Sequence, residues 1–268
     1  MRNQRVLLAS DMDGTVIPME ITARRKTELA SFRKAVEAAP ALHLAYVTGR
    51  DLRLSLKGIE QHRLPDPEIL VCDVGTSVYI ATPEGFEKDT EYVRVLEEAR
   101  GGLDVRDVHQ QLTHLPELLL QAQEKQTESK LSYYLAEGSE HTWVVEAVRE
   151  VLAGLGGGIQ AVYSVGAPHG TGLLDLLPAG VAKDFALRYL HRKVGVEASE
   201  VIYAGDSGND LAALLSGYKA IVVGNATAGL KEELRSRGGE RRILHQLYFA
   251  EDSFASGVLE GCRHFGVL

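Results

Sequence analysis

Apolar residues along this chain follow two rhythms, and the change between them marks out its parts. Short apolar runs at residues 6–9, 42–47, 69–74, 201–204 and 220–223 each stop at an acidic, glycine or hydroxyl residue. Runs of that length, bounded by turn residues, read as strands buried on both faces, as in a parallel sheet. Between them the spacing changes to three and four, so that Leu29, Phe32, Val36 and Ala39 share one helical face. Further helices are expected after Arg50, from about Val181 and from about Asp210. A last one carries Phe254, Val258, Cys262 and Phe265 along one side. Strands alternating with helices imply right-handed crossovers and a doubly wound sheet.

Residues 82–178 follow another pattern. Helical stretches near 105–123 and 140–155 interleave with strand-like runs at 131–136, 159–165 and 173–177. The second helix aligns Val144, Val148, Val151 and Leu155 on one stripe. Two helices against an antiparallel sheet make a small α+β unit, with Trp143, Tyr133 and Tyr134 expected in its core. The expected fold class is therefore α/β. A doubly wound, Rossmann-like parallel sheet core forms from 1–81 and 179–268, with a smaller α+β domain inserted at 82–178.

Composition narrows the function classes. The chain has 268 residues, 45% hydrophobic and 25% charged, which is enough for one large domain or for two smaller ones, each with its own core. A formal net charge of −8 argues against a nucleic-acid or anionic-membrane surface. The basic run Arg24-Arg25-Lys26 reads as the wet face of a helix. There is no long N-terminal apolar stretch and no run able to span a bilayer, so a soluble cytoplasmic protein is expected. Cys72 and Cys262 have neither metal-type nor redox-type spacing and read as buried thiols.

Four clusters carry candidate chemistry, each at a strand end or a helix start. In an open α/β sheet those ends converge on one crevice. Asp11-Met12-Asp13-Gly14-Thr15 offers two carboxylates two residues apart, with a glycine where the chain must turn. Thr48-Gly49-Arg50 offers a hydroxyl and main-chain N–H groups to phosphate oxygens. Lys183 stands in the first turn of a helix. Gly205-Asp206-Ser207-Gly208-Asn209-Asp210 adds two carboxylates around a tight turn. Singly, each has a plain structural reading: an Asp-Gly turn, a helix cap at Thr48, a solvated Lys183. Their order and their shared placement at strand ends point instead to one site.

This ordered set resembles the haloacid dehalogenase superfamily of phosphatases, with Asp11-Met-Asp-Gly-Thr as its first motif, Thr48 its second, Lys183 its third and Gly-Asp206-Ser-Gly-Asn-Asp210 its fourth. The inserted segment is similar to that superfamily's type IIB cap, the part that sets substrate specificity. Within the superfamily the chain looks most like the sucrose-phosphate and mannosylfructose-phosphate phosphatases, through Leu44-Ala-Tyr-Val-Thr-Gly-Arg50, Val74-Gly-Thr-Ser-Val-Tyr79, Lys130-Leu-Ser-Tyr-Tyr134 and Leu174-Asp-Leu-Leu-Pro178. The chain departs from the pattern at two places. Gly75-Thr76-Ser77 stands where sucrose-phosphate phosphatases tend to read Gly-Ser-Glu, and Asp184 follows Lys183 where glycine is usual.

The resemblance implies a phosphoric monoester hydrolase that uses Mg²⁺ and forms an aspartyl phosphate on Asp11, with Asp13 as general acid and base. Thr48, Gly49 and Lys183 would hold the phosphoryl group. Asp11, Asp13 through its main-chain carbonyl, Asp206 and Asp210 would surround the metal, the last as ligand or orienter, with Ser207 and Asn209 in support. The partner is a small sugar phosphate, most readily a disaccharide phosphate, and the protein is a monomer or small homo-oligomer. A phosphotransferase or phosphomutase on the same fold, and a catalytically silent sugar-binding module, remain alternatives.

Overall fold

The computed structural model describes residues 5–100, 105–156, 158–166 and 171–268. The chain divides into two compact units, residues 1–88 with 183–268, and residues 89–182. The sequence places those breaks at 81/82 and 178/179. The first falls later because Gly85–Lys88 continues the main sheet as the partner of Ser77–Thr82, a hairpin the hydrophobic pattern does not disclose.

The first unit is built on an eight-stranded sheet. Its strands are β1 (Val6–Ser10), β2 (Leu42–Val47), β3 (Ile69–Cys72), β4 (Ser77–Thr82), β5 (Gly85–Lys88), β10 (Val201–Gly205), β11 (Lys219–Val222) and β12 (Leu247–Phe249), in the spatial order β12-β11-β10-β1-β2-β3-β4-β5. The strands from β12 to β3 run parallel, and the β4–β5 hairpin runs antiparallel at one edge. From β1 the chain builds outward to β3, then returns to place β10 on the other side of β1. The order reverses there, which in open α/β sheets opens a crevice at the strands' carboxyl ends.

Both faces of the central strands are covered, as their unbroken apolar runs require. On one face, Leu29, Phe32 and Val36 of α1 (Ala23–Glu37) and Val258, Leu259 and Cys262 of α9 (Phe254–His264) pack on Leu8, Leu44, Ile202 and Ile221. Residues of opposite parity, Leu7, Ala9 and Tyr203, are equally buried, and α6 (Lys183–Val194) lies against β1. Thr22 caps α1 through the Arg25 N–H at 3.2 Å, and Arg24 and Arg25 both pair with Glu28 on the helix surface. Asp51, rather than Thr48, caps α2 (Leu52–His62). The helix expected from Asp210 is a single turn, α7 (Leu211–Leu214). The pattern passes over α8 (Ala228–Glu240), whose apolar stripe is thin: only Leu230, Leu234 and Gly238 are buried.

In the second unit, β6 (Leu118–Leu120), β7 (Leu131–Leu135), β9 (Thr171–Pro178) and β8 (Ile159–Gly166) form an antiparallel sheet in that order. Helices α4 (Val105–Leu112) and α5 (His141–Gly154) share a buried cluster with Leu131, Tyr133, Leu135, Leu174 and Leu176. A further helix, α3 (Thr90–Arg100), precedes them without having been expected. The helix expected over 105–123 stops at Leu112, and the strand β6 follows. Period-two alternation assigns Tyr133 to the core and Tyr134 to the open face, where it is 42% exposed. Trp143, 53% exposed, and Leu155, 40% exposed, also lie outside the core, because Val144, Val145, Val148 and Leu152 fill α5's buried face.

The fit of α9 on β11 gives a direct check. A Cβ at Gly261 would stand 2.5 Å from Ile221 Cγ1, whereas at Gly229 in α8 nothing lies within 4 Å. Gly261→Val should lower stability by roughly 1–3 kcal/mol through overpacking. Gly229→Ala should raise it by about 0.4–1 kcal/mol. Urea denaturation of both variants reads the two signs.

Candidate active site

Asp11 leaves β1 and Asp206 leaves β10, on adjacent strands at the reversal point of the sheet. The Asp11 main-chain N–H donates to the Ala204 carbonyl at 2.9 Å, which ties the two strand ends together. Two glycines permit the crowding. A Cβ on Gly14, at φ +79°, would stand 2.4 Å from Asp206 Oδ2, and one on Gly205 would stand 2.7 Å from Asp210 Cβ. Lys183, the first residue of α6, reaches in with no exposed surface, placing Nζ 2.9 Å from Asp11 Oδ1 and 2.7 Å from Asp210 Oδ1.

Asp210 is saturated by donors. Besides Lys183, the Tyr203 hydroxyl donates to Oδ1 at 2.6 Å. The main-chain N–H groups of Asp206 and Ser207 donate to Oδ2 at 3.1 and 3.0 Å, and Ser207 Oγ stands 3.2 Å away. Ser207 Oγ also lies 3.0 Å from Asn209 Oδ1. Asp210 therefore holds Lys183 Nζ and the main chain of the Asp206 turn. Asp206 keeps more freedom, accepting from Thr15 Oγ1 at 2.7 Å. Carboxylate oxygens of Asp11, Asp206 and Asp210 lie within 4.8 Å of one another.

The charges explain what such a site lacks. Burial pushes the Asp11 carboxyl well up; Lys183 pulls it back, and Asp210 and Asp206 push it further. Burial alone would also discourage the Lys183 charge, but Asp11 and Asp210 overcome it and hold the ammonium above its ordinary range. One ammonium thus serves a cluster of three carboxylates. The all-oxygen donors and the remaining negative charge fit a hard divalent cation such as Mg²⁺, with Asp11 and Asp206 the carboxylates best placed to hold it.

Asp13 is directed elsewhere. Both its oxygens accept from Arg50, Oδ2 from Nε at 2.6 Å and Oδ1 from Nη2 at 2.5 Å. Thr48, 1% exposed, and Gly49 follow β2, the neighbour of β1. Their loop is braced by a turn in which Asp73, Val74 and Gly75 all have left-handed φ values of 54°, 59° and 98°. That conformation costs on the order of 1–3 kcal/mol at a non-glycine residue. It lets the N–H groups of Val74 and Asp73 reach the Thr48 and Arg50 carbonyls at 3.1 and 2.9 Å. Ser77, where the pattern of the resemblance is broken, is buried opposite Cys72.

Four further residues shape the site without having been singled out by role: Thr15, Arg50, Tyr203 and Asn225. Asn225 Nδ2 donates to the Gly14 carbonyl at 2.7 Å while its Oδ1 accepts from Phe254 N at 3.0 Å. It follows β11, so the strand-end rule that found Asp206 could have found it as well.

A buried carboxylate at the reversal point of a doubly wound sheet, held by a lysine and flanked by a second acidic turn, defines the class of haloacid dehalogenase-type phosphatases. The chain belongs to the sucrose-6F-phosphate phosphohydrolase family, whose pattern it matches over residues 4–266. It is 32% identical to a putative HAD-like hydrolase of Nitrosococcus oceani, over 98% of this chain and 72% of that one. With the mannosylfructose-phosphate phosphatase of Agrobacterium fabrum it shares 30% identity over 97% of each chain. The structure of the Synechocystis sucrose-phosphatase in complex with sucrose and phosphate superposes with a TM-score of 0.83, at 27% identity over 99% of both chains. The chain spans 60% of the length of plant sucrose-phosphatases that it matches. It is a phosphoric monoester hydrolase of the sucrose-phosphatase-like kind. Among the described residues no helix is long and apolar enough to cross a membrane.

Burial, then the Asp210 charge, pushes Asp206 from an ordinary 3.8 up to about 7, against the Thr15 bond and Lys183. The folded chain then binds more protons at this site than the unfolded one. Its contribution to stability falls as pH rises from 3.8 to about 7. Metal-free protein should therefore lose thermal stability over that interval relative to Asp206→Asn. Melting curves recorded in chelator test this, and a constant difference between the two proteins would contradict it.

Proposed function

We propose that the protein hydrolyses a disaccharide phosphate, sucrose 6-phosphate or a close relative, through an aspartyl phosphate on Asp11. The observation that carries this reading is the buried Lys183 bridging Asp11 and Asp210 beside Asp206. Lys183 holds Oδ1 of Asp11, which fixes the carboxylate plane and leaves its second oxygen to attack phosphorus. As that O–P bond forms and the P–O bond to the sugar breaks, a proton passes from the Asp13 carboxyl to the sugar oxygen. Water then attacks phosphorus, the bond to Asp11 breaks, and the water proton returns to Asp13. Thr48, Gly49 and Lys183 bind the phosphoryl oxygens and offset their growing charge.

Mg²⁺, held by Asp11, Asp206 and the main-chain carbonyl of Asp13, would supply the charge neutralisation that a cluster of carboxylates cannot give an anionic substrate. Asp210, with Ser207 and Asn209, keeps Lys183 and Asp206 in place. We assign sugar recognition to the second unit, residues 89–182, as the cap. The names of the matched relatives support a disaccharide phosphate, since a sucrose-phosphatase and a mannosylfructose-phosphate phosphatase are both among them.

Asp11→Asn should cut turnover roughly a thousandfold or more with the fold intact, because the amide cannot form the acyl phosphate. Activity near that of wild type in clean protein would sink the assignment.

EDTA should silence the enzyme and Mg²⁺ restore it, while Ca²⁺, which favours looser and higher coordination, should inhibit. Undiminished turnover in chelator would exclude this metal role. A phosphate-release screen should single out sucrose 6-phosphate or mannosylfructose phosphate over monosaccharide and nucleotide phosphates. A phosphomutase would instead release little free phosphate.

A further inference from the structure

Arg50 is anchored independently of Asp13. Its main-chain N–H bonds Thr48 Oγ1 at 3.2 Å, and its carbonyl accepts from Asp73 N at 2.9 Å. The side chain runs along α2, where Nη1 donates to the Leu54 carbonyl at 2.9 Å. Gly58 leaves the space it occupies, since a Cβ there would stand 2.3 Å from Nη1. Glycine inside a helix costs up to about 1 kcal/mol relative to alanine, so one found at a close approach marks what needs the room. The donors that remain, Nε and Nη2, face both oxygens of Asp13. The arginine is thus held by contacts besides Asp13, whereas the carboxylate's side chain is 47% exposed.

We propose that Arg50, seated on Gly58, is a positioning residue for the acid–base carboxylate Asp13; this rests on the role given to Asp13 above. In the first displacement the proton leaves an Asp13 oxygen for the sugar oxygen as the P–O bond breaks, and the new carboxylate closes onto both guanidinium donors. In the second, the attacking water passes its proton to Asp13 and one arm of the fork opens. No proton moves to or from Arg50, whose charge is constant throughout. The planar fork sets the orientation in which Asp13 exchanges its proton, and it receives the charge that Asp13 gains.

Leaving-group dependence tests this. Arg50→Ala, Arg50→Lys and Gly58→Ala are assayed with p-nitrophenyl phosphate, whose leaving oxygen needs little protonation, and with sucrose 6-phosphate, or mannosylfructose phosphate where wild type turns over only that. On the sugar phosphate, Arg50→Ala should lower kcat about ten- to a hundredfold with little change in KM, and the aryl phosphate should suffer much less. Lysine, which keeps the charge but not the fork, should recover part of the loss, and Gly58→Ala should show the same substrate bias. Added to Asp13→Ala, Arg50→Ala should cost nothing further on the sugar phosphate, because it acts through Asp13. Equal losses on both substrates, or an additional loss in the Asp13→Ala background, overturn the proposal. If Asp13→Ala itself lacks the substrate bias, the acid–base reading beneath the proposal fails instead.

Discussion

The ammonium of Lys183 is the interaction on which the site depends. It is fully buried, and it is shared by Asp11 at the end of β1 and Asp210 at the base of the acidic turn. Taking three charges out of water is unfavourable unless each is paired and hydrogen-bonded. Here Asp210 meets that condition with donors from Tyr203, Lys183, Ser207 and the main chain. Removing one partner of such a set leaves a buried charge uncompensated, at a cost of about 3–5 kcal/mol. The same contacts hold Lys183 beside Asp11 and give the turn that carries Asp206 its shape, so satisfying these charges also fixes the groups to which the chemistry is assigned in the proposal.

Topology brings these groups together over long stretches of chain. Asp11 and Asp206 are neighbours because β10 returns to lie beside β1, and only glycine at 14 and 205 lets the two loops approach so closely. Thr15 and Asn225 then brace the first loop, one bonding Asp206 and the other the Gly14 carbonyl. The inserted unit has its own core around Tyr133, Val144, Val148 and Leu174, separate from the cluster of Phe32, Tyr46 and Val258.

How far the sequence disclosed this depends on the kind of signal each residue carries. Parallel strands were legible because burial on both faces leaves an unbroken apolar run, and the acidic clusters because they stop those runs. The β4–β5 hairpin was not, since an edge strand such as β5, with the exposed pattern of Glu87 and Lys88, looks like a loop. Helix α8 leaves little trace in the pattern because its buried residues are few, and Trp143 lies outside the core although a large aromatic suggests one, because valines already fill it. Tyr203 reads as one more strand aromatic, yet its hydroxyl ends on Asp210. Arg50 and Gly58 carry no local signal of their pairing; it appears only when α2 is folded back along the loop that precedes it.

Asp11 and Asp13 show why position alone does not assign a role. They are two residues apart, yet Asp11 is 4% exposed and bound to a buried ammonium, whereas the Asp13 side chain is 47% exposed and faces the Nε and Nη2 donors of Arg50. A nucleophile gains from a dry, fixed setting that orients its attack and leaves no water in competition. A group that gives and regains a proton needs a route to solvent and partners that can be exchanged during turnover. The different surroundings of these two identical side chains suit the different tasks proposed for them. Asp11 meets Lys183 in the crevice, while Asp13 meets Arg50, whose side chain also bonds the Leu54 carbonyl of α2.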